Sequence, residues 1–383
     1  MKLISYLWAF LLPCAACSRL SSPEPIPVSS PESPGVFTTQ SLAKLFSELP
    51  IGTEQVREVH DAVSASSAQG YDEEYTLQKL LTAPGCGVGG EATKAASYAC
   101  PLRELLAQRL HEQCATKSGA SAEALLSELS SSDFQLYWPY CEDWDGKQAP
   151  LITFDPGYDA SSNYGYVLRQ DGDGIHIVDS VYVDENVARS RPVWVLNRNS
   201  DAGFTPLELF SSTRPETEAE RMAPASHTRR LMLKSLKMLR HYDSWFAGAS
   251  EFVVKAGSVE GFTASTEAEL KLYRPSVTDF VIVVKRKYLG QELPYDCILL
   301  SEVTSQLDKI AFLLTEDDGG TRTNWKCEAI VKVNSKSYGF TVDLPYNEKD
   351  DIVWRGQLPL TFFQEEDEVT GRFGDVILTF ELL

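Results

Sequence analysis

A short aromatic run in the middle of the chain, Tyr137-Trp138-Pro139-Tyr140 followed by Trp144-Asp145, brings together side chains that a sugar site uses. Indole and phenol rings stack on sugar faces, and a neighbouring carboxylate accepts hydrogen bonds from hydroxyls. Trp138, Tyr140 and Trp144 are therefore candidate ligand-binding residues. The same run also suits a packed strand crossing a core edge. Groups for bond cleavage are sparser. The five histidines are scattered, and His241 with Asp243, two residues on, is the acid–imidazole pair singled out. No His-Glu-x-x-His zinc helix occurs. No Gly-x-Ser-x-Gly elbow occurs either, since Gly257-Ser258-Val259-Glu260-Gly261 puts its serine one place early. Paired carboxylates for sugar cleavage stay open, because their separation is a three-dimensional quantity. The glycine-rich PGCGVGG segment (84–90) lacks the Lys-Ser/Thr of a phosphate loop, and reads as a plain loop. Asp171-Gly172-Asp173-Gly174 lacks the third acid and closing Glu of a calcium loop, and reads as a hairpin turn.

The first seventeen residues carry a different chemistry. Lys2 precedes an apolar run from Leu3 to Leu12, then small residues and Cys17. A basic start, an apolar core too short to span a bilayer and a small-residue cleavage site describe a secretory signal over residues 1–16. Ala15-Ala16-Cys17 resembles the bacterial lipobox, with Cys14 where that motif usually has Leu. The resemblance implies cleavage before Cys17, acylation of its thiol, and a membrane held as partner through the lipid. Ser18 follows, and by resemblance to Gram-negative lipoproteins the absence of an acid there implies the outer membrane, with its face open. Residues 17–37, rich in Pro and Ser, cannot bury a core and read as a tether.

Export bears on the remaining cysteines, Cys86, Cys100, Cys114, Cys141, Cys297 and Cys327, as candidates for disulfides. Their spacing matches no zinc site. Cys297–Cys327 is the expected within-domain pair, and the other four leave three pairings open. Buried free thiols are the competing reading. The chain of 383 residues has a net charge of −19, which excludes nucleic acid and anionic headgroups as partners.

The elements that must position these groups change character along the chain. Residues 38–132 read as helical, with apolar positions Leu42, Leu45, Phe46 and Leu49 at helical spacing behind Thr39 or Ser41 as cap. A second helix follows Thr53, a third opens at Asp72 with Tyr75, Leu77, Leu80 and Leu81, another runs from about Pro101 to Lys117, and a short one carries Leu125, Leu126 and Leu129. Residues 133–210 alternate and read as a central antiparallel β segment, with strands at Tyr164–Arg169, Ile175–Val178 and Val193–Asn197. A polar linker spans 211–228. Residues 229–383 read as a β domain, including 229–240 as a strand and Leu358–Phe363 and Val376–Leu382 near its end. The expected class is a multidomain α+β protein with a C-terminal β-sandwich.

The C-terminal block resembles the conserved-region-two ("C-two") domain of protein kinase C, an eight-stranded sandwich with calcium-binding loops at one end. That family runs strand, Asp-bearing loop, Gly-x-Ser-Asp-Pro-Tyr, strand. Here LKMLRHYDSWFAGASEFVVKAG (236–257) follows that course: Asp243 falls in the loop, Gly248-Ala249-Ser250 matches the turn, and Glu251 stands at the family's Asp, without the proline. A later family strand ends in Asp-x-Asp, for which Glu316 and Asp318 are one candidate and Glu365, Asp367 and Asp375 another. The resemblance implies calcium as cofactor, with Asp243, Glu251, Glu316, Asp318 and Asp367 as ligands. Calcium takes six to eight oxygens, which acids on two loops can supply in part. Solvated acidic loops at strand ends are the plainer reading.

The layout as a whole resembles envelope lipoproteins of Gram-negative bacteria, notably Bacteroidota, through its tether, the LAKLF…VRE opening and the PVWVLN strand (192–197). That likeness implies architecture and location only. The expected function is binding or adhesion at the envelope toward a glycan or protein ligand. The alternative is a hydrolase whose site lies between the helical and β parts, marked by clustered carboxylates or His241.

Overall fold

Local signals set most of the helices. The computed structural model describes residues 37–82, 98–116, 121–157, 160–171, 174–199, 206, 229–364 and 368–383. The signal, Cys17, the tether as far as residue 36, Cys86, Asp367 and the whole of the 211–228 linker lie outside them. Helix α1 (Thr39–Ser47) is capped one residue earlier than expected. The Thr38 hydroxyl accepts from the Ser41 N–H at 3.1 Å, and the Ser41 hydroxyl accepts from the Thr38 N–H at 2.8 Å. Gly52 caps α2 (Thr53–Ala68), its N–H reaching the Gln55 side chain. Helices α4 (Leu102–Thr116) and α5 (Ala122–Ser130) fall where periodicity places them.

The expected third helix is a correction. Glu74–Thr76 form a strand, β1, and only Leu77–Thr82 are helical, as α3. Residues 74–76 pair antiparallel with 135–137 of β2 (Phe134–Tyr137), so a tertiary ladder overrides the local apolar spacing.

Strands β3 (Leu151–Phe154), β4 (Ser162–Asp171), β5 (Gly174–Asp184) and β6 (Val193–Arg198) join β1 and β2 in one sheet ordered β1-β2-β6-β3-β4-β5. It is not wholly antiparallel, because β3 and β6 run parallel. The chain between them makes the β4–β5 hairpin and α6 (Glu185–Ser190), long enough for the crossover a parallel pair requires. Asp171 pairs with Gly174, so the hairpin closes where the DGDG segment stands. The helices bury Leu42, Phe46, Val59, Leu80, Leu106 and Leu129 against Leu136, Ile152, Trp194 and Leu196 of the sheet. Helical and central β segments therefore share one core and form a single lobe.

The second lobe is a β-sandwich of ten described strands, two more than the C-two resemblance implies. One sheet holds β10 (Leu293–Val303), β7 (Arg229–Met238), β16 (Val376–Leu382) and β15 (Glu368–Phe373), in that order. The other holds β13 (Lys336–Asn347), β12 (Arg322–Val333), β11 (Leu307–Glu316), β8 (Ser250–Ser258) and β9 (Ser276–Val284), with β14 (Asp351–Pro359) on the free side of β11. Residues 229–238 are a strand as expected, whereas Leu360–Gln364 turn into a short 3-10 helix after Pro359. Phe252, Val254, Leu299, Phe312, Leu314, Leu378 and Phe380 fill the space between the sheets.

The Cys297–Cys327 disulfide does not form. Cys297 lies on β10 and Cys327 on β12, in opposite sheets, and no disulfide joins the described cysteines. No described helix is long and apolar enough to cross a membrane.

Candidate metal centre

Strands β8 and β11 are the middle strands of their sheet and are buried along almost their whole length. Any polar residue at their ends is therefore carried out of water by the packing of its neighbours. Glu251 is the second residue of β8 and is 4% exposed; Glu316 is the last residue of β11 and is 0% exposed. The ladder sets Glu316 opposite Phe252, and the Asp317 N–H donates to the Glu251 carbonyl at 3.0 Å. Asp243 comes from the loop joining β7 to β8. One carboxylate oxygen from each of Asp243, Glu251 and Glu316 lies within 4.8 Å of the others.

The electrostatics are those of acids crowded together out of water. Burial, and then the facing Asp243 carboxylate, push the Glu316 carboxyl up to about 12. Both Glu316 oxygens are buried, and the polar groups that reach the carboxyl are the Asp243 side chain and the Glu251 backbone. Asp318 stands at the rim, pushed up to about 7 by burial and then by Asp243, Asp351 and Asp350. Asp350, 8% exposed, is pushed up to about 6 by burial, opposed by a 2.8 Å hydrogen bond from the Asn347 N–H. The structure thus brings together three of the five expected metal ligands, Asp243, Glu251 and Glu316; Asp318 acts on them only through its charge, and Asp367 lies outside the described residues. Asp350 and Asp351 were missed. Their signal is an acid pair opening a strand, beside the end of β11 where Glu316 pairs with Asp351.

A second acidic group lies where the lobes meet. Glu73, Cys141 and Glu142 also place one ligand atom each within 4.8 Å. Here positive charge is already supplied: Lys285 lies 3.7 Å from Glu73, and Lys287 pairs closely with Glu142. Burial and a hydrogen bond to Glu142 raise Glu73 well above the carboxylate range. Burial opposes ionisation of Glu142, but the Glu73 and Lys287 hydrogen bonds bring it down to about 2. Burial and the two neighbouring acids push the Cys141 thiol up. A protonated Glu73, an ionised Glu142 and two lysines need no metal.

Around this group the β7–β8 loop docks into the first lobe. The Asn197 side-chain amide donates to the carbonyls of Phe246 at 2.9 Å and Ala247 at 2.7 Å, and the Trp245 indole donates to the Ser161 carbonyl at 3.0 Å. Trp245 and Phe246 pack with Tyr137, Val183 and Val195. Gly248 has φ +144°, and a Cβ there would sit 2.6 Å from Asp72, which accepts from the Ala249 N–H. Only glycine fits this approach. Arg286, 5% exposed, pairs with Glu185 at 3.1 Å. It also donates to the Asp243 carbonyl at 3.1 Å.

The aromatic run is core rather than a sugar platform. Trp138 is 1% exposed and packs edge-on against Trp144 and Trp194, with ring centroids 5.5 and 6.0 Å away. Tyr140 is buried, with its hydroxyl on Glu185 and Arg189 over its ring. Trp144 is half-buried, its indole donating to the Gln148 carbonyl. Trp138 and Trp144 are thus engaged in ring contacts of their own within the fold. His241 also departs from expectation. Burial and Arg286 lower it to about 4, and its charged neighbours are Arg286, Glu185 and Arg189, while Asp243 turns to Glu316. The space between helical and β parts, where a hydrolase site was expected as the alternative, is filled by Trp245, Phe246 and paired charges.

No protein-family model matches this chain, and comparison with curated proteins gives no match.

Proposed function

We propose that this protein is a lipid-anchored envelope binding module whose sandwich holds calcium between Asp243, Glu251 and Glu316. The observation that carries the reading is Glu316, a fully buried carboxyl that converges with the Asp243 and Glu251 carboxyls within 4.8 Å. Burying charge of one sign is costly unless a proton or a cation compensates it. The donors are all hard oxygens, the set that suits calcium, and the charge of Asp318 is felt at the same place. Magnesium, which demands strict octahedral geometry and keeps its waters, is served less well by three converging carboxylates. The anchor rests on Lys2, the apolar run and Ala15-Ala16-Cys17. It would hold the module at the bacterial outer membrane, facing a glycan or protein ligand.

The test is thermal unfolding of the full chain in mild detergent, with calcium chloride and then with chelator. Calcium at ~100 times its dissociation constant is expected to stabilise by about 2.7 kcal/mol, a gain lost in Asp243→Asn. An identical melting curve with calcium and with chelator removes the reading. Metabolic labelling with a fatty-acid analogue, lost in Cys17→Ala, tests the anchor separately.

A further inference from the structure

We infer that the first lobe is a working part of the cation site, so that calcium binding and lobe docking strengthen each other; this rests on the calcium reading above. Of the three clustered acids, Glu316 and Glu251 lie on strands of the sandwich and one, Asp243, does not. Asp243 sits on the β7–β8 loop, and Glu251 follows that loop by two residues. The loop's course is set by the other lobe. Glu185, at the start of α6, holds the Arg286 guanidinium through Nε at 3.1 Å and one Nη at 3.3 Å. The other Nη of the same guanidinium donates to the main-chain oxygen of Asp243 at 3.1 Å. Glu185, Arg286 and the Asp243 backbone thus form a continuous chain ending at a cation ligand. At the far end of the loop, Asp72 takes the Ala249 N–H at 3.0 Å, and Asn197 takes the two carbonyls before it. Between these clamps, Trp245 and Phe246 are buried in the first lobe's surface.

The three acids converge only while the loop is docked. A cation that binds the converged arrangement must favour docking by as much as docking favours the cation. A released loop would leave Glu316 facing water in place of Asp243, with one ligand fewer for calcium.

Two measurements on the full chain test this. Calcium affinity is titrated calorimetrically for the wild type and for Glu185→Gln, which keeps the side chain's shape and removes the charge that holds Arg286. Hydrogen exchange of residues 239–249 is then compared in calcium chloride and in chelator. The expected results are calcium binding weakened about fivefold or more in Glu185→Gln, the lower range of typical couplings, and slower exchange at 245–249 with calcium. If the wild type binds calcium, but the variant binds it equally and exchange at 245–249 does not respond, the coupling is overturned and the site stands. If the wild type binds no calcium, the site itself is refuted and the coupling falls with it. The exchange measurement needs only the wild type, so poor folding of the variant does not shield the inference.

Discussion

Glu316 faces Asp243 across the end of the β11–β8 ladder, one acid fully buried at a strand terminus and the other held by a loop that the opposite lobe clamps. Two carboxylates in such a setting cannot both keep their charge without help, since like charges in low dielectric drive one to take a proton. If the cluster holds calcium as proposed, the pair exchanges a shared proton for the bound cation.

Because Glu316 is held protonated at neutral pH without metal, Glu316→Gln replaces one neutral group by another of the same shape. In chelator its stability should stay within about 1 kcal/mol of the wild type. Its calcium-dependent stabilisation should vanish. A loss of several kcal/mol in chelator, read from urea denaturation, would mean that Glu316 makes an ionised contact essential to the fold.

The rim acids set the pH dependence. Asp350 is raised from 3.8 to about 6 in the folded protein, so the folded state binds the proton more tightly than the unfolded chain. Its contribution to stability is fully present below pH 3.8 and is lost as pH rises through about 6. Asp318 acts with the same sign over 3.8 to about 7. Urea denaturation in chelator at pH 5 and pH 8 should show this part of the stability falling with pH, and Asp350→Asn should flatten it. Calcium affinity should rise over the same interval, because metal and proton compete for the same oxygens.

Arg286→Ala removes a guanidinium from a site where it is 5% exposed, leaving Glu185 and the Asp243 carbonyl without it. Breaking a buried pair from one side costs about 3–5 kcal/mol. Denaturant unfolding should show that loss, and Trp245 emission should shift to the red as the loop loosens. Unchanged stability would show that Arg286 is spectator to the lobe contact.

Trp138→Ala should behave as a core truncation. The indole is 1% exposed among Trp144, Trp194 and His60, so its removal should cost about 3–5 kcal/mol in thermal or denaturant unfolding. A variant of near wild-type stability would return the aromatic run to the surface.

Much of the architecture was legible in residue order, because it rests on local chemistry. Helical spacing with caps placed α1, α2, α4 and α5; period-two alternation placed β6, β11 and β16; and the composition shift near residue 229 marks the start of the sandwich. The acids Asp243, Glu251, Glu316 and Asp318 could be singled out as well, through the resemblance to the C-two loops. What residue order left open was every question of long-range pairing. β1 is a strand only because 135–137 lie beside it, β3 and β6 run parallel only because a hairpin and a helix intervene, and Cys297 and Cys327 part because their strands join opposite sheets. The aromatic run looked the same whether it lined a groove or filled a core. The clamp on the β7–β8 loop joins residues more than a hundred positions apart, such as Glu185 with Arg286 and Asp72 with Ala249. Local propensity is read from neighbours along the chain, while burial, ion pairing and the convergence of carboxylates depend on which distant segments pack together. The types of the acids are a property of the sequence, and their shared burial is a property of the fold.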